Sequence, residues 1–192
     1  LREARALEER MRGRAIVNPT VDGRRDVKFR AETMDDVPII GTTEKQTALS
    51  SARPEIGRFL LPFDVRFKKN VCVIGADVRD GLFGTANPIN QTLSIGRTAF
   101  RVIGVMEKQG GSFLGGPNFD RQVFVPITSY VKAFGGRHHQ DVNVAVKAQT
   151  LAAIADLEYE VTGEMRKIRR LRPSEADNFS INKLDTLVGT FN

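Results

Sequence analysis

Few side chains in this sequence are of the types that do chemistry, and their spacing decides what each could do. The two histidines are adjacent, His138-His139, behind Gly135-Gly136-Arg137. Neighbouring histidines cannot both face one ion from a helix, and no Cys or acidic cluster stands near them to complete a metal set. They read as part of a solvated loop. The run Gly110-Gly111-Ser112-Phe113-Leu114-Gly115-Gly116 invites a phosphate cradle. It lacks the Lys-Ser/Thr ending and the following helix such a loop needs. Ser112 has no Gly-x-Ser-x-Gly elbow around it, so the run reads as an exposed hairpin tip. The single cysteine, Cys72, sits inside Val-Cys-Val-Ile, the setting of a buried inert thiol. The carboxylate pairs Asp35-Asp36 and Glu158/Glu160 read as turn and helix-surface charges. No residue is assigned a catalytic, cofactor-binding or metal-ligating role, and no cofactor is expected.

The strongest charge feature is Arg166-Lys167-Ile168-Arg169-Arg170-Leu171-Arg172. Cations at the end of a helix complement its dipole. Free of that duty, they would suit lipid headgroups or an acidic partner. The whole chain of 192 residues carries a net charge of +6, which admits nucleic acid, anionic lipid or an acidic protein as partner. A hydrophobic content of 41% supports a real core and argues against wholesale disorder. One cysteine forbids an internal disulfide. No run of 18 apolar residues is present, so no membrane-spanning helix is encoded. Both ends read as cut from a longer polypeptide. An apolar run of about 20 residues is expected before Leu1 and another after Asn192.

The elements that must position these residues centre on residues 71–127. Three apolar runs, residues 71–74, 100–106 and 123–127, are Val-, Ile- and Phe-rich, of strand length, and bounded by Gly or Pro. Residues 76–83 read as a short helix stopped at Gly84. Ser94-Ile95-Gly96-Arg97-Thr98 reads as a hairpin joining residues 92–95 to 99–106. Upstream, residues 1–12 form a helix with Leu1, Ala4, Leu7 and Met11 on one face. Residues 15–17, 26–31 and 37–40 read as short strands, with Asn18-Pro19 and Asp22-Gly23 as turns. Thr43 caps a weak helix over 44–51, and residues 54–59 form a loop. Downstream, Thr128 caps a helix over 129–134 and residues 143–148 alternate as a strand. The longest helix spans 150–171, capped by Thr150, with a stripe of Leu151, Ile154, Leu157, Val161, Met165 and Ile168. Full burial of that stripe would be worth on the order of 10 kcal/mol. Residues 178–184 read as a strand, which would close a strand–helix–strand unit. The fold class is therefore α+β in two subdomains. Residues 1–61 and 137–192 form a discontinuous α/β subdomain, and residues 62–136 an inserted β-rich one.

These residues also carry a resemblance. Gly57-Arg58-Phe59, then VCVIGADVRDGLFG, then QTLSIGRTAFRVIGVMEKQGGSF, then QVFVPITSYVKAFGG resemble the periplasmic core domain of MacB-type ABC transporter permeases, a group that includes FtsX-like and LolC-like proteins. The later part, with its long helix, Leu-Arg-Pro end and Asn-Phe-Ser segment, is similar to the family's C-terminal part. Relatives usually carry a strand before a helix like that over residues 1–12, and it is absent here. The resemblance implies an outer α+β subdomain of the kind called Porter and an inserted one called Sabre. It implies a non-catalytic domain hung between two membrane helices on the periplasmic side of the inner membrane. The full permease would be a homodimer or heterodimer. Its ATPase would be a separate domain or subunit, and its further partner a periplasmic adaptor or substrate protein. The motion would serve efflux, or extraction of lipoproteins or peptides. Two other functions compete: a basic nucleic-acid-binding module, suggested by the charge alone, and a small hydrolase built on Ser112 or His138. The transporter reading expects no nucleic-acid partner.

Overall fold

The computed structural model describes residues 1–50, 52–110, 118–135, 142–148, 150 and 153–182. The central strands and the first helix between them lie where the apolar runs predict. They are β4 (Val71–Ile74), α4 (Ala76–Phe83), β5 (Thr92–Ile95), β6 (Thr98–Met106) and β7 (Val123–Pro126). Gly84 ends α4 at φ +57° and Gly96 turns the β5–β6 hairpin at φ +57°, a backbone region that glycine enters without strain. Side chains alternate as a strand demands. Cys72 and Ile74 enter one core with Phe100, Val102, Val105 and Tyr130. Val71 and Val73 face a second, with Phe59, Leu60, Ile103, Met106 and Phe124. With both faces covered, β4 is buried throughout.

The N-terminal strands are longer than their sequence suggests. A single strand, β1 (Ala15–Phe29), replaces the two short ones. Residues 15–20 pair antiparallel with β8 (Asn143–Ala148). Residues 21–29 pair with β2 (Glu32–Thr42), and Val27 and Lys28 also meet β5. The expected turns are absorbed into this strand. Pro19 lies where β1 pairs with β8 alone, so its missing N–H spoils no second ladder. Gly23 is kept for packing, since a Cβ there would lie 2.4 Å from the Tyr130 hydroxyl. The chain reverses instead at Arg30-Ala31, with Arg30 at φ +53°. The expected loop at 54–59 also gives way to a strand, β3 (Pro54–Gly57), on β6.

Hydrogen-bonded neighbours then run in a closed cycle: β1 to β2, β7, β4, β6, β5 and back to β1. The β2–β7 and β4–β6 pairs are parallel and the others antiparallel. Closure of this kind leaves few open strand edges. Helix α5 (Ile127–Phe134) begins directly on β7. Thr128 does not cap it. Its hydroxyl donates to the Val65 carbonyl, and the Ser129 hydroxyl donates to the Lys69 carbonyl. The first ties α5 to α3 (Pro62–Arg66) and the second to the segment that follows α3.

The two ends of the described chain meet in a third core. Ala4 and Leu7 of α1 (Arg2–Arg10) are buried, and Leu7 packs with Met11, Val17 and Val161. Helix α6 (Ile154–Arg169) is shorter than residues 150–171, and Thr150 lies three residues ahead of its N-cap, Ala153. Its stripe is buried less than predicted. Val161 is buried; Leu157, Met165 and Ile168 are partly covered; Ile154 is 39% exposed; and Leu151 lies outside the described residues. Ion pairs on the flank supplement this packing: Arg10–Glu164 at 2.7 Å, Arg14–Glu160 at 2.9 Å and Arg169–Glu3 at 2.9 Å. The strand expected over 178–184 does not form among its described residues, 178–182. Arg169 donates to the carbonyl and the side-chain oxygen of Asn178, so this segment is strapped to α6 and adds no strand to the sheet.

Candidate functional site

Gly57-Arg58-Phe59 also organises a cluster of exposed apolar side chains. Gly57 has φ +74°, and a Cβ there would lie 2.3 Å from the Ile103 carbonyl oxygen. A Cβ on Gly104, its partner on β6, would lie 2.2 Å from the Arg58 carbonyl oxygen. The two glycines therefore let β3 and β6 touch backbone to backbone. That contact fixes Arg58, whose N–H donates to the Ile103 carbonyl at 3.0 Å. The Arg58 guanidinium grips both oxygens of Asp64, at 2.6 and 3.2 Å. Asp64 also accepts from the Leu61 N–H at 2.9 Å, closing the first turn of α3 behind Pro62. Burial raises the Asp64 pKa, but the Arg58 and Leu61 bonds and the Arg58 and Arg101 charges outweigh it and hold the carboxyl below its usual range.

Asp64 is buried while its neighbours project. Leu61, Phe63 and Phe67 are 48%, 54% and 55% exposed. Phe63 and Phe67 are one helical turn apart, with ring centroids at 4.5 Å. Arg66 lies 5.6 Å from the Phe67 centroid and Lys69 lies 5.3 Å from that of Phe63. The sequence reading missed this cluster. Its signal was present: Pro at the first helical position with Asp two residues on marks a helix start, and it places the aromatics at 63 and 67 on one side.

The residues weighed for chemistry do not assemble. Ser112, His138 and His139 lie outside the described residues, with most of the glycine-rich run. The flanks of that run are held by one buried carboxylate, since Asp120 accepts from the N–H groups of Gln109 and Gly110 at 2.7 and 2.9 Å. Cys72 is fully buried, and burial drives its thiol pKa up. Asp36, at φ +53°, pairs with Arg24 at 2.8 Å, and the Asp35 carbonyl accepts from Arg121. Glu160 is taken by Arg14. Among the described residues, no three His, Cys, Asp or Glu side chains come together as a metal-binding group. No described helix is long and apolar enough to cross a membrane.

Much of the Arg-rich helix end is engaged within the molecule. Arg166 pairs with Asp177 and donates to the carbonyls of Arg172 and Glu175. Lys167 pairs with Glu164 at 2.8 Å. The bonds to Lys167 and Arg10 lower the Glu164 pKa to about 2. Arg166 thus holds the 172–177 segment and Arg169 holds Glu3 of α1, which leaves the nucleic-acid reading without structural support.

Comparison with known proteins agrees with the motifs. The family model described as "MacB-like periplasmic core domain" matches residues 1–164. A macrolide export ATP-binding/permease protein MacB of Bdellovibrio bacteriovorus is 25% identical over 182 residues, which is 94% of this chain and 27% of that protein. The MacB of Chlorobium luteolum is 32% identical over 131 residues, 68% of this chain and 19% of that protein. The pyoverdine export protein PvdT of Pseudomonas aeruginosa is 34% identical over 90 residues, 46% of this chain and 13% of that protein. The chain thus spans about a quarter or less of these relatives. The crystal structure of the periplasmic region of MacB from Actinobacillus actinomycetemcomitans superposes with a TM-score of 0.74 at 18% identity, covering 88% of this chain and 73% of that one. The extracellular domain of the transporter YknZ from Gram-positive bacteria gives 0.74 at 17% identity, covering 89% and 84%. The mixed α/β fold is that of these domains, and the chain belongs to the MacB-like periplasmic core domain family.

Proposed function

We propose that this chain is the extracytoplasmic domain of an ABC transporter permease, standing on the periplasmic side of the inner membrane. It works without catalysis of its own. It relays movement driven by an ATPase in another domain or subunit to export of a small molecule or extraction of a lipoprotein or peptide. The full permease is a homodimer or heterodimer and engages a periplasmic adaptor or substrate protein. The observation that carries this reading is the family match over residues 1–164.

The division into an outer Porter-like subdomain, residues 1–61 and 137–192, and an inserted Sabre-like one, residues 62–136, belongs to the same proposal. In its favour, α1, the start of β1, β8 and α6 share one core although they come from opposite ends of the chain. Strands β2 and β3 would be shared elements, because they join the strands of the inserted segment.

Sidedness tests the reading. In the full-length protein with Cys72→Ala, a Tyr159→Cys label site is 84% exposed in the parent residue. A membrane-impermeant maleimide should label it in intact spheroplasts. Labelling only after lysis would refute an extracytoplasmic domain.

A further inference from the structure

We propose that residues 61–70 form a docking tip for an anionic phospholipid surface, a role that rests on the extracytoplasmic placement above. Of these residues, eight are exposed, Val65 is half-buried and Asp64 alone is buried. The segment is therefore almost wholly solvent-facing. Bare aromatic rings with cations beside them and no exposed carboxylate suit insertion below anionic headgroups.

The chemistry of the tip divides in the way an interface requires. Phe63 and Phe67 pack against each other with tilted rings as one apolar unit, extended by Leu61 and Pro62. Arg66, Lys68 and Lys69 flank it, and no exposed acidic side chain occurs in residues 61–70. The Arg66 and Lys69 cations lie 5.6 and 5.3 Å from the ring centroids, within reach of a headgroup phosphate once the rings are sunk. A second copy of the chain would set these cations against one another, so charge disfavours self-association through the tip. The tip is also held in shape before any contact. Arg58 clamps Asp64, and the hydroxyls of Thr128 and Ser129 hold the Val65 and Lys69 carbonyls. A pre-shaped tip loses little conformational freedom on docking.

The experiment is partition of the 192-residue chain onto sedimented vesicles. One set is phosphatidylethanolamine with about one third phosphatidylglycerol, the other phosphatidylcholine alone. Binding should require phosphatidylglycerol and fall as salt is raised. Phe63→Ala with Phe67→Ala should weaken it at least about tenfold, both side chains being largely exposed and hence dispensable for folding. Arg66→Gln, Lys68→Asn and Lys69→Gln together should weaken it about a hundredfold, near fivefold per cation. No partition at low salt, or partition unchanged in both variants, overturns the proposal. So does a Phe63/Phe67 variant that binds vesicles normally while the full permease carrying it loses export, because the tip would then be a protein dock. Labelling of Tyr159→Cys only after lysis would remove the extracytoplasmic reading and leave the vesicle result standing, so the two failures are distinguishable.

Discussion

Gly104→Ala adds one methyl group at a place where the backbone leaves no room for it. The new Cβ would lie 2.2 Å from the Arg58 carbonyl oxygen and 3.0 Å from its carbon. Both are backbone atoms, so no side-chain rotation relieves the clash and β3 must lift away from β6. The lower bound is the cost of overpacking, about 1–3 kcal/mol, and a backbone-to-backbone clash belongs at the top of it. The upper bound is loss of cover over Phe59 and Leu60, which follow β3 and are now buried. Exposing both costs about 3–6 kcal/mol in total. A destabilisation of about 3 kcal/mol is expected, which moves a urea midpoint by about 1–2 M for an m-value of about 2 kcal/mol/M. Gly163→Ala supplies the matched control. That glycine lies inside α6 with nothing within 4 Å of its Cβ position. It should gain about 0.5–1 kcal/mol from reduced unfolded-state freedom and helix propensity. The pair should therefore move the midpoint in opposite directions. An unmoved midpoint for Gly104→Ala would refute the close approach of β3 and β6.

Other perturbations test separate parts of the structure. Glu164 has its pKa lowered from 4.5 to about 2 by Lys167 and Arg10, so its contribution is present above pH 4.5 and is lost as pH falls toward 2. Glu164→Gln should flatten the fall in melting temperature across that window, and added salt should do the same in the parent chain, because the site is partly exposed. Cys72 should react with a thiol reagent only at the rate of unfolding, since burial both covers it and suppresses its thiolate; fast modification of native protein would contradict this. Millimolar ATP should leave the melting temperature of the isolated chain unchanged, and a saturable rise of several degrees would reveal a nucleotide site.

Where local and tertiary signals agreed, the fold was legible. Val71–Ile74, Ala76–Phe83 and Thr92–Ile95 have the observed bounds because β-branched runs, helix period and Gly punctuation point the same way there. The sequence misled where a breaker serves packing. Pro19 and Gly23 read as turns and Gly57 as loop, yet each sits in a strand: at a one-sided pairing, under the Tyr130 hydroxyl and against the Ile103 carbonyl. Such contacts are non-local and leave no periodic trace. The stripe of α6 was legible, but the depth of its burial was not, because that depends on how much of α1 and β8 reaches it. Residues 178–182 look like a strand by composition, yet Arg169 captures Asn178 first. The Arg58–Asp64 clamp had only a weak local signal, six residues of spacing across a proline.

A domain proposed to relay movement needs its parts coupled, and β1 is the element suited to that. It is one strand of 15 residues whose first part lies with α1 and α6 and whose second part belongs to the closed cycle. Near the crossover stands the buried side chain of Asn18. Its amide donates to Thr42 at 3.0 Å and Gln46 at 2.9 Å, and its oxygen accepts from Thr43 at 2.7 Å. A buried amide with both hydrogens and its oxygen matched tolerates little sliding, because each lost bond leaves a polar group unpaired at about 1–3 kcal/mol. Lys45 pairs with Glu8 on α1 beside this knot, so α2 (Gln46–Leu49), β2 and α1 are all referred to one point on β1. Displacement of α1 is thus resisted by the Glu8–Lys45 ion pair at the start of α2 as well as by the apolar contacts of Leu7 and Met11. Apolar contacts alone are non-directional and permit slippage, whereas the Asn18 bonds fix register. On the proposed function, a shift imposed at α1 would reach the strand cycle through β1 as a rigid-body movement rather than be absorbed between two loosely packed halves.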